Sequence, residues 1–115
     1  LAIAVSLVRG LPAVLVRPDL KDHGPSRAIE GTLQPGTRVA LIEDVVTSGG
    51  AALSALDILK TAGADVRKVI AVVDREEGGS AALAETGVAY KALFTSSDLG
   101  IQPSAAATGG PNAER

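Results

Sequence analysis

Val39-Ala40-Leu41-Ile42-Glu43-Asp44-Val45-Val46-Thr47-Ser48-Gly49-Gly50 is the stretch that decides the fold. Its apolar run has no polar alternation, which reads as a strand, Val39–Ile42, buried on both faces in a parallel α/β sheet. An acidic pair follows, then a hydroxyl-and-glycine turn that opens a helix. Ligands of such sheets sit at the carboxyl ends of the strands, where Glu43 and Asp44 are expected. Their carboxylates accept hydrogen bonds from sugar hydroxyls. The turn Thr47–Gly50 aims backbone N–H groups and a helix N-terminus at a phosphate. One short segment therefore offers both halves of a site for a phosphorylated sugar.

Upstream, Leu1–Arg9 is an apolar run stopped by Gly10, as at a helix C-terminal cap, and Pro12 bars its continuation. Ala13–Val16 is a short strand candidate. Arg17–Arg38 is polar, holds three prolines and three glycines, and reads as one long loop; such connections are usually lids or binding loops. Downstream, Gly49–Ala62 is expected as a helix burying Ala52, Leu56, Leu59 and Ala62 or Gly63, with Ser54, Asp57 and Thr61 toward water. Val69–Val73 is the next strand and ends in Asp74-Arg75-Glu76-Glu77-Gly78-Gly79, so acids again follow a buried strand. Ser80 is expected to cap a short helix through Glu85, Gly87 to end it, and Val88–Phe94 to form the last strand. The order βαβαβ predicts an α/β unit over residues 1–100 with a parallel sheet and right-handed crossovers. In 101–115 Pro, Ser, Ala, Gly and Asn dominate, and Gln102–Arg115 reads as a disordered tail.

Composition narrows the function. The 115 residues are 46% hydrophobic, enough for one small domain with a real core. With 11 basic against 13 acidic residues, one Phe and one Tyr, there is little to grip nucleic acid by charge or stacking. No apolar run has the length of a membrane span. Absence of cysteine excludes disulfides and thiolate chemistry and is compatible with a cytoplasmic enzyme. Absence of methionine, with Leu1 already inside a helix-like run, leads us to expect a chain truncated at its front.

A bare D-x-x-x-x-G turn is common in doubly wound sheets, but Ile42-Glu43-Asp44-Val45-Val46-Thr47-Ser48-Gly49-Gly50 is far more specific. It resembles the signature of the type I phosphoribosyltransferases. That resemblance implies the type I phosphoribosyltransferase fold, a parallel sheet flanked by helices, here lacking its N-terminal region. It further implies that Glu43 and Asp44 contact the ribose hydroxyls of phosphoribosyl pyrophosphate. Val45, Val46, Thr47, Ser48, Gly49, Gly50 and Ala51 complete the segment that wraps its 5-phosphate. Departure of pyrophosphate leaves positive charge on the sugar, which nearby carboxylates stabilise, and this makes Asp44 a catalytic candidate.

Two further segments narrow the resemblance to the orotate phosphoribosyltransferases. Arg17-Pro18-Asp19-Leu20-Lys21-Asp22-His23-Gly24 is similar to their mobile catalytic loop, which closes over the neighbouring subunit of a dimer. Arg17, Lys21 and His23 would then hold pyrophosphate, with Lys21 the principal catalytic cation, and the lid would exclude water. Pro18 departs from the pattern, since many members carry a second basic residue there. Asp74-Arg75-Glu76-Glu77-Gly78 is similar to the D-R-x-x-G segment whose arginine contacts the pyrimidine. Arg75, joined by Thr47, would bind orotate with a planar guanidinium fork, while Asp74 is expected to be structural. Ile29-Glu30-Gly31 and Pro35-Gly36 also fit.

The implied reaction converts orotate and phosphoribosyl pyrophosphate to orotidine 5′-monophosphate and pyrophosphate, in pyrimidine biosynthesis. The resemblance implies a cytoplasmic homodimer whose lid acts in trans, with magnesium carried on the substrate and no protein metal cage. No nucleic-acid or membrane partner is expected. Two alternatives stay open: a phosphoribosyltransferase for another base, and a non-catalytic phosphoribosyl pyrophosphate-binding regulator. The family's N-terminal lysine-bearing pyrophosphate loop is expected to lie upstream of Leu1, so the isolated 115 residues are expected to show little activity.

Overall fold

The computed structural model describes residues 1–101; the stretch Gln102–Arg115, read above as a tail, lies outside the described residues. The chain opens with helix α1 (Ala2–Arg9), closed by Gly10 in the left-handed conformation, as its sequence predicts. An antiparallel ribbon of β1 (Leu15–Val16) and β2 (Ile29–Glu30) follows, and between them lie a 3-10 turn (Pro18–His23) and the one-turn helix α2 (Pro25–Ala28).

Beyond this come β3 (Arg38–Val46), α3 (Gly50–Thr61), β4 (Asp65–Asp74), α4 (Gly79–Ala84) and β5 (Ala89–Thr95). The three longer strands form a parallel sheet in the order β3-β4-β5, with Leu41, Val69 and Tyr90 in register. This is the βαβαβ unit the sequence implies.

The core forms where α3 lies on the sheet. Ala52, Ala55, Leu56 and Leu59 recur at i, i+3, i+4 and i+7, which puts them on one face of the helix. They pack with Leu41, Val46, Val69, Ala71 and Leu83. Ala62 is only half-buried and Gly63 is exposed, because the helix has ended before them.

Three expectations need correction. The first is the length of β3, which continues through the acids to Val46 instead of stopping at Ile42. Val45 and Val46 are β-branched, favour extended backbone, and pair with Val73 and Asp74 of β4. Glu43 and Asp44 thus lie inside the strand's last turn of pleat. The second is the long polar stretch, which is not an open loop. Val16 and Ile29 pack against the core, and the Arg17 N–H donates to the Ala28 carbonyl at 2.6 Å, so the segment folds back as a closed hairpin. The third is the start of α4. Gly78 occupies the cap with φ 98° and no side chain caps the helix, so Ser80 sits inside it.

Among the described residues no helix is long and apolar enough to cross a membrane. Leu83 is 0% exposed and joins α4 to the core. Leu83→Ala should lower unfolding free energy by about 2–5 kcal/mol in urea titration; a loss under about 1 kcal/mol would show that α4 is not part of the cooperative core.

Candidate active site

The candidate residues gather where β3 and β4 end. After Val46 the chain bends through Thr47 and Ser48 to Gly49, whose φ of 95° lets it turn into α3. No side chain caps that helix. Its first N–H groups therefore remain available to an anion, with the favourable end of the helix dipole behind them. Gly50 and Ala51 are exposed at this entrance.

The turn after β4 is tied to the turn after β3 by the backbone. The Arg75 N–H donates to the Val46 carbonyl at 2.9 Å, and the Gly79 N–H donates to the Thr47 carbonyl at 3.0 Å. Arg75 is thereby carried to the flank of the candidate phosphate turn. Asp74, 5% exposed, secures this arrangement. One of its oxygens accepts from the Glu76 N–H at 2.7 Å and the other from the Tyr90 hydroxyl at 2.9 Å. Burial, then the bond to Asp74, push the Tyr90 phenol well above its ordinary pKa, so it stays protonated and keeps donating. Asp74 is structural, as its sequence context suggests, and what it holds is the turn.

Glu76 adopts φ 59°, the one non-glycine residue with positive φ among the described residues. A side chain in that region costs on the order of 1 kcal/mol. The Glu76 carboxylate offsets this by accepting from the Ser97 N–H at 2.7 Å.

Glu43 and Asp44 are adjacent acids with different surroundings. Asp44 is exposed, and one of its oxygens accepts from the Val45 N–H at 2.8 Å. Glu43 is half-buried. Burial first, and the neighbouring Asp44 charge second, push its carboxyl above the ordinary value. The strand end thus carries two neighbouring carboxylates, one exposed and one half-buried.

Arg17 and His23 lie on the β1–β2 connection. The Arg17 guanidinium donates to Glu30 at 2.6 Å across the base of the ribbon, with both side chains about half exposed. His23 is exposed at the end of the 3-10 turn, which packs against α2 and α3. Lys21 belongs to the same turn; its side chain lies outside the described residues. Among the described residues no group of three or more His, Cys, Asp or Glu is gathered as a metal site.

Sequence reasoning missed Gly79, Glu77 and Tyr90 as members of the site. Gly79 and Glu77 stand within the quoted Asp74–Gly79 segment, where a paired glycine and a second acid were the available signals. Tyr90 is distant in sequence, and only the strand register brings it to Asp74.

No family model matches the chain, but curated relatives do. It is 46% identical over 99 residues to the orotate phosphoribosyltransferase of Halobacterium salinarum, covering 86% of this chain and 57% of that protein. It is 50% identical over 106 residues to that of Sorangium cellulosum, covering 86% and 55%. The fold matches the crystal structure of Mycobacterium tuberculosis orotate phosphoribosyltransferase with Fe(III) dicitrate at TM-score 0.70 and 37% identity, over 79% of this chain and 52% of that one. Over most of its length, the chain is a homologue of the orotate phosphoribosyltransferases. It has the type I phosphoribosyltransferase fold, and it spans little more than half the length of these curated relatives. A further structure of the mycobacterial enzyme, in complex with 5-phospho-α-D-ribosyl 1-diphosphate, matches at TM-score 0.60 over 64% of this chain.

Because the Glu43 pKa is raised on folding, the native state binds that proton more tightly than the unfolded chain. The associated stability is present below the ordinary glutamate pKa and is lost as pH rises through the folded value. Glu43→Gln should therefore raise Tm at pH 7, and the gain should shrink below about pH 4, where the wild-type side chain is also neutral. A gain of equal size at both pH values, or a loss at pH 7, would contradict this account.

Proposed function

We propose that the protein transfers the phosphoribosyl group of phosphoribosyl pyrophosphate to orotate, giving orotidine 5′-monophosphate and pyrophosphate. The observation that carries this reading is the joining of the Glu43–Gly50 segment to the Arg75–Gly79 turn, the Val46 carbonyl accepting from the Arg75 N–H and the Thr47 carbonyl from the Gly79 N–H. It brings two carboxylates, an uncapped helix entrance and an arginine to adjacent strand ends, which supports reading them as sugar-hydroxyl acceptors, phosphate turn and base-binding cation. The similarity to enzymes named orotate phosphoribosyltransferases favours orotate over other bases.

In this reading Thr47, Ser48, Gly49, Gly50 and Ala51 hold the 5-phosphate. Backbone N–H groups and the α3 dipole supply the attraction. Glu43 and Asp44 accept from the ribose hydroxyls, and Val45 and Val46 carry the strand between these acids and the turn. A pyrimidine ring nitrogen attacks the anomeric carbon as its bond to pyrophosphate breaks. Positive charge spreads over that carbon and the ring oxygen, where Asp44 lowers its energy. Arg75 pairs with the orotate carboxylate, with Thr47 beside it.

Lys21, Arg17 and His23 are the lid cations that receive the leaving pyrophosphate, with Lys21 the principal one. For Arg17 to do so it must exchange Glu30 for the ligand. That ion pair is surface-exposed and therefore weak, so a highly charged pyrophosphate outcompetes it. The lid acts in trans within a homodimer in the cytoplasm. Magnesium carried on the pyrophosphate would supply charge neutralisation, and Glu43 and Asp44 are the carboxylates that would face it.

Orotate consumption, followed by its ultraviolet absorbance with phosphoribosyl pyrophosphate present, tests the assignment. Whatever orotate turnover these 115 residues support, low as it is expected to be, should fall about a hundredfold or more in Lys21→Ala. Faster use of uracil or hypoxanthine would overturn the choice of base. Phosphoribosyl pyrophosphate binding without turnover, unchanged in Lys21→Ala, would instead mark a regulator.

A further inference from the structure

We propose that Glu77 is the positioning residue of Arg75, anchoring its guanidinium through Nε so that the Nη edge meets the carboxylate-bearing edge of the acceptor base. The inference rests on the reading of Arg75 as the base-binding cation. Asp74, Glu76 and Glu77 all flank Arg75 in sequence, and two of them are committed elsewhere. Asp74 binds the Glu76 N–H and the Tyr90 hydroxyl, and Glu76 binds the Ser97 N–H. Glu77 alone turns to the arginine: its Oε2 lies 3.1 Å from Arg75 Nε.

Burial makes this pairing consequential. The Glu77 side chain is 14% exposed, and Oε2 is withdrawn from solvent and accepts no aligned hydrogen bond among the described residues. The 3.1 Å approach satisfies an ion pair by distance, while its angle falls outside hydrogen-bond alignment. A carboxylate oxygen so placed is costly unless a cation faces it, and Arg75 is the cation within reach. The arginine side chain is itself 52% exposed. Of the five guanidinium N–H groups, Nε carries one and the Nη atoms carry the rest. An ion pair made on the Nε side thus leaves the outer Nη edge for a bidentate, coplanar contact with a carboxylate. The reverse arrangement, with Glu77 competing against the base for Arg75, predicts the opposite sign of effect.

Michaelis constants for orotate and for phosphoribosyl pyrophosphate, measured in Glu77→Gln, Arg75→Ala and the double variant, separate these cases. Glu77→Gln is expected to raise the orotate KM about tenfold, with the phosphoribosyl pyrophosphate KM changed by less than about twofold. Added to Arg75→Ala, it should do nothing further to the orotate KM, because a positioning residue has no role without the group it positions. Glu77→Asp, which keeps the charge with a shorter reach, should recover part of the loss. An unchanged or lowered orotate KM in Glu77→Gln, an undiminished effect in the Arg75→Ala background, or an equal rise in both Michaelis constants would overturn the proposal. An Arg75→Ala variant with unaltered orotate KM would overturn the base-binding role beneath it, a result distinct from all of these.

Discussion

Gly79 lies so close to the turn after β3 that no side chain fits between them. A Cβ at this position would collide with Val46 Cγ1 and lie 2.7 Å from the Thr47 carbonyl oxygen. The crowding is mutual, since a Cβ on Gly49 would sit 3.2 Å from Gly79 Cα. The Gly79 N–H uses the approach to donate to Thr47. Two turns that belong to different βα units are thereby fastened face to face. Everything else in the candidate site is arranged around that contact. The candidate phosphate turn is braced from behind, and the Arg75 backbone is held beside it.

Holding the turns this way concentrates unfavourable features at the strand ends. Glu43 is half-buried beside Asp44, Glu76 has left-handed backbone, and Glu77 is withdrawn from water against a single cation. None of these favours folding. They are sustained by the apolar contact of α3 and α4 with the sheet, where Leu56, Leu59, Val69 and Leu83 are nearly or fully buried. The division of labour is ordinary for α/β proteins: the middle of the sheet supplies stability, and the carboxyl edge carries charge and strain for the ligand.

Much of this was legible in the chain. The unbroken apolar runs around Leu41 and Val69 and the apolar stripe of α3 gave the parallel βαβαβ order, because a strand covered on its face by a helix needs no alternation. The acid-and-glycine turns pointed to the strand ends as the candidate site, and the resemblance they carry agrees with the relatives found. Boundaries were less legible. Val45 and Val46 extend β3 only because β4 is there to pair with them, and pairing is a tertiary fact. The polar Arg17–Arg38 stretch conceals the ribbon's second strand, in which Ile29 is the half-buried apolar residue, too little to produce a periodic signal. The partners of Asp74, Glu76 and Glu77 were the least visible. Three neighbouring acids look alike in sequence, and only backbone geometry assigns one to Tyr90, one to Ser97 and one to Arg75.

The central claim is that the Gly79 contact makes the two turns one binding unit. Its most direct measurement is the calorimetric affinity of Gly79→Ala for phosphoribosyl pyrophosphate, with far-ultraviolet circular dichroism recorded alongside. The account predicts retained secondary structure and a Kd weakened between about tenfold and a hundredfold, as expected when a phosphate turn is displaced by a fraction of an ångström. Retained secondary structure with an unchanged Kd would contradict it.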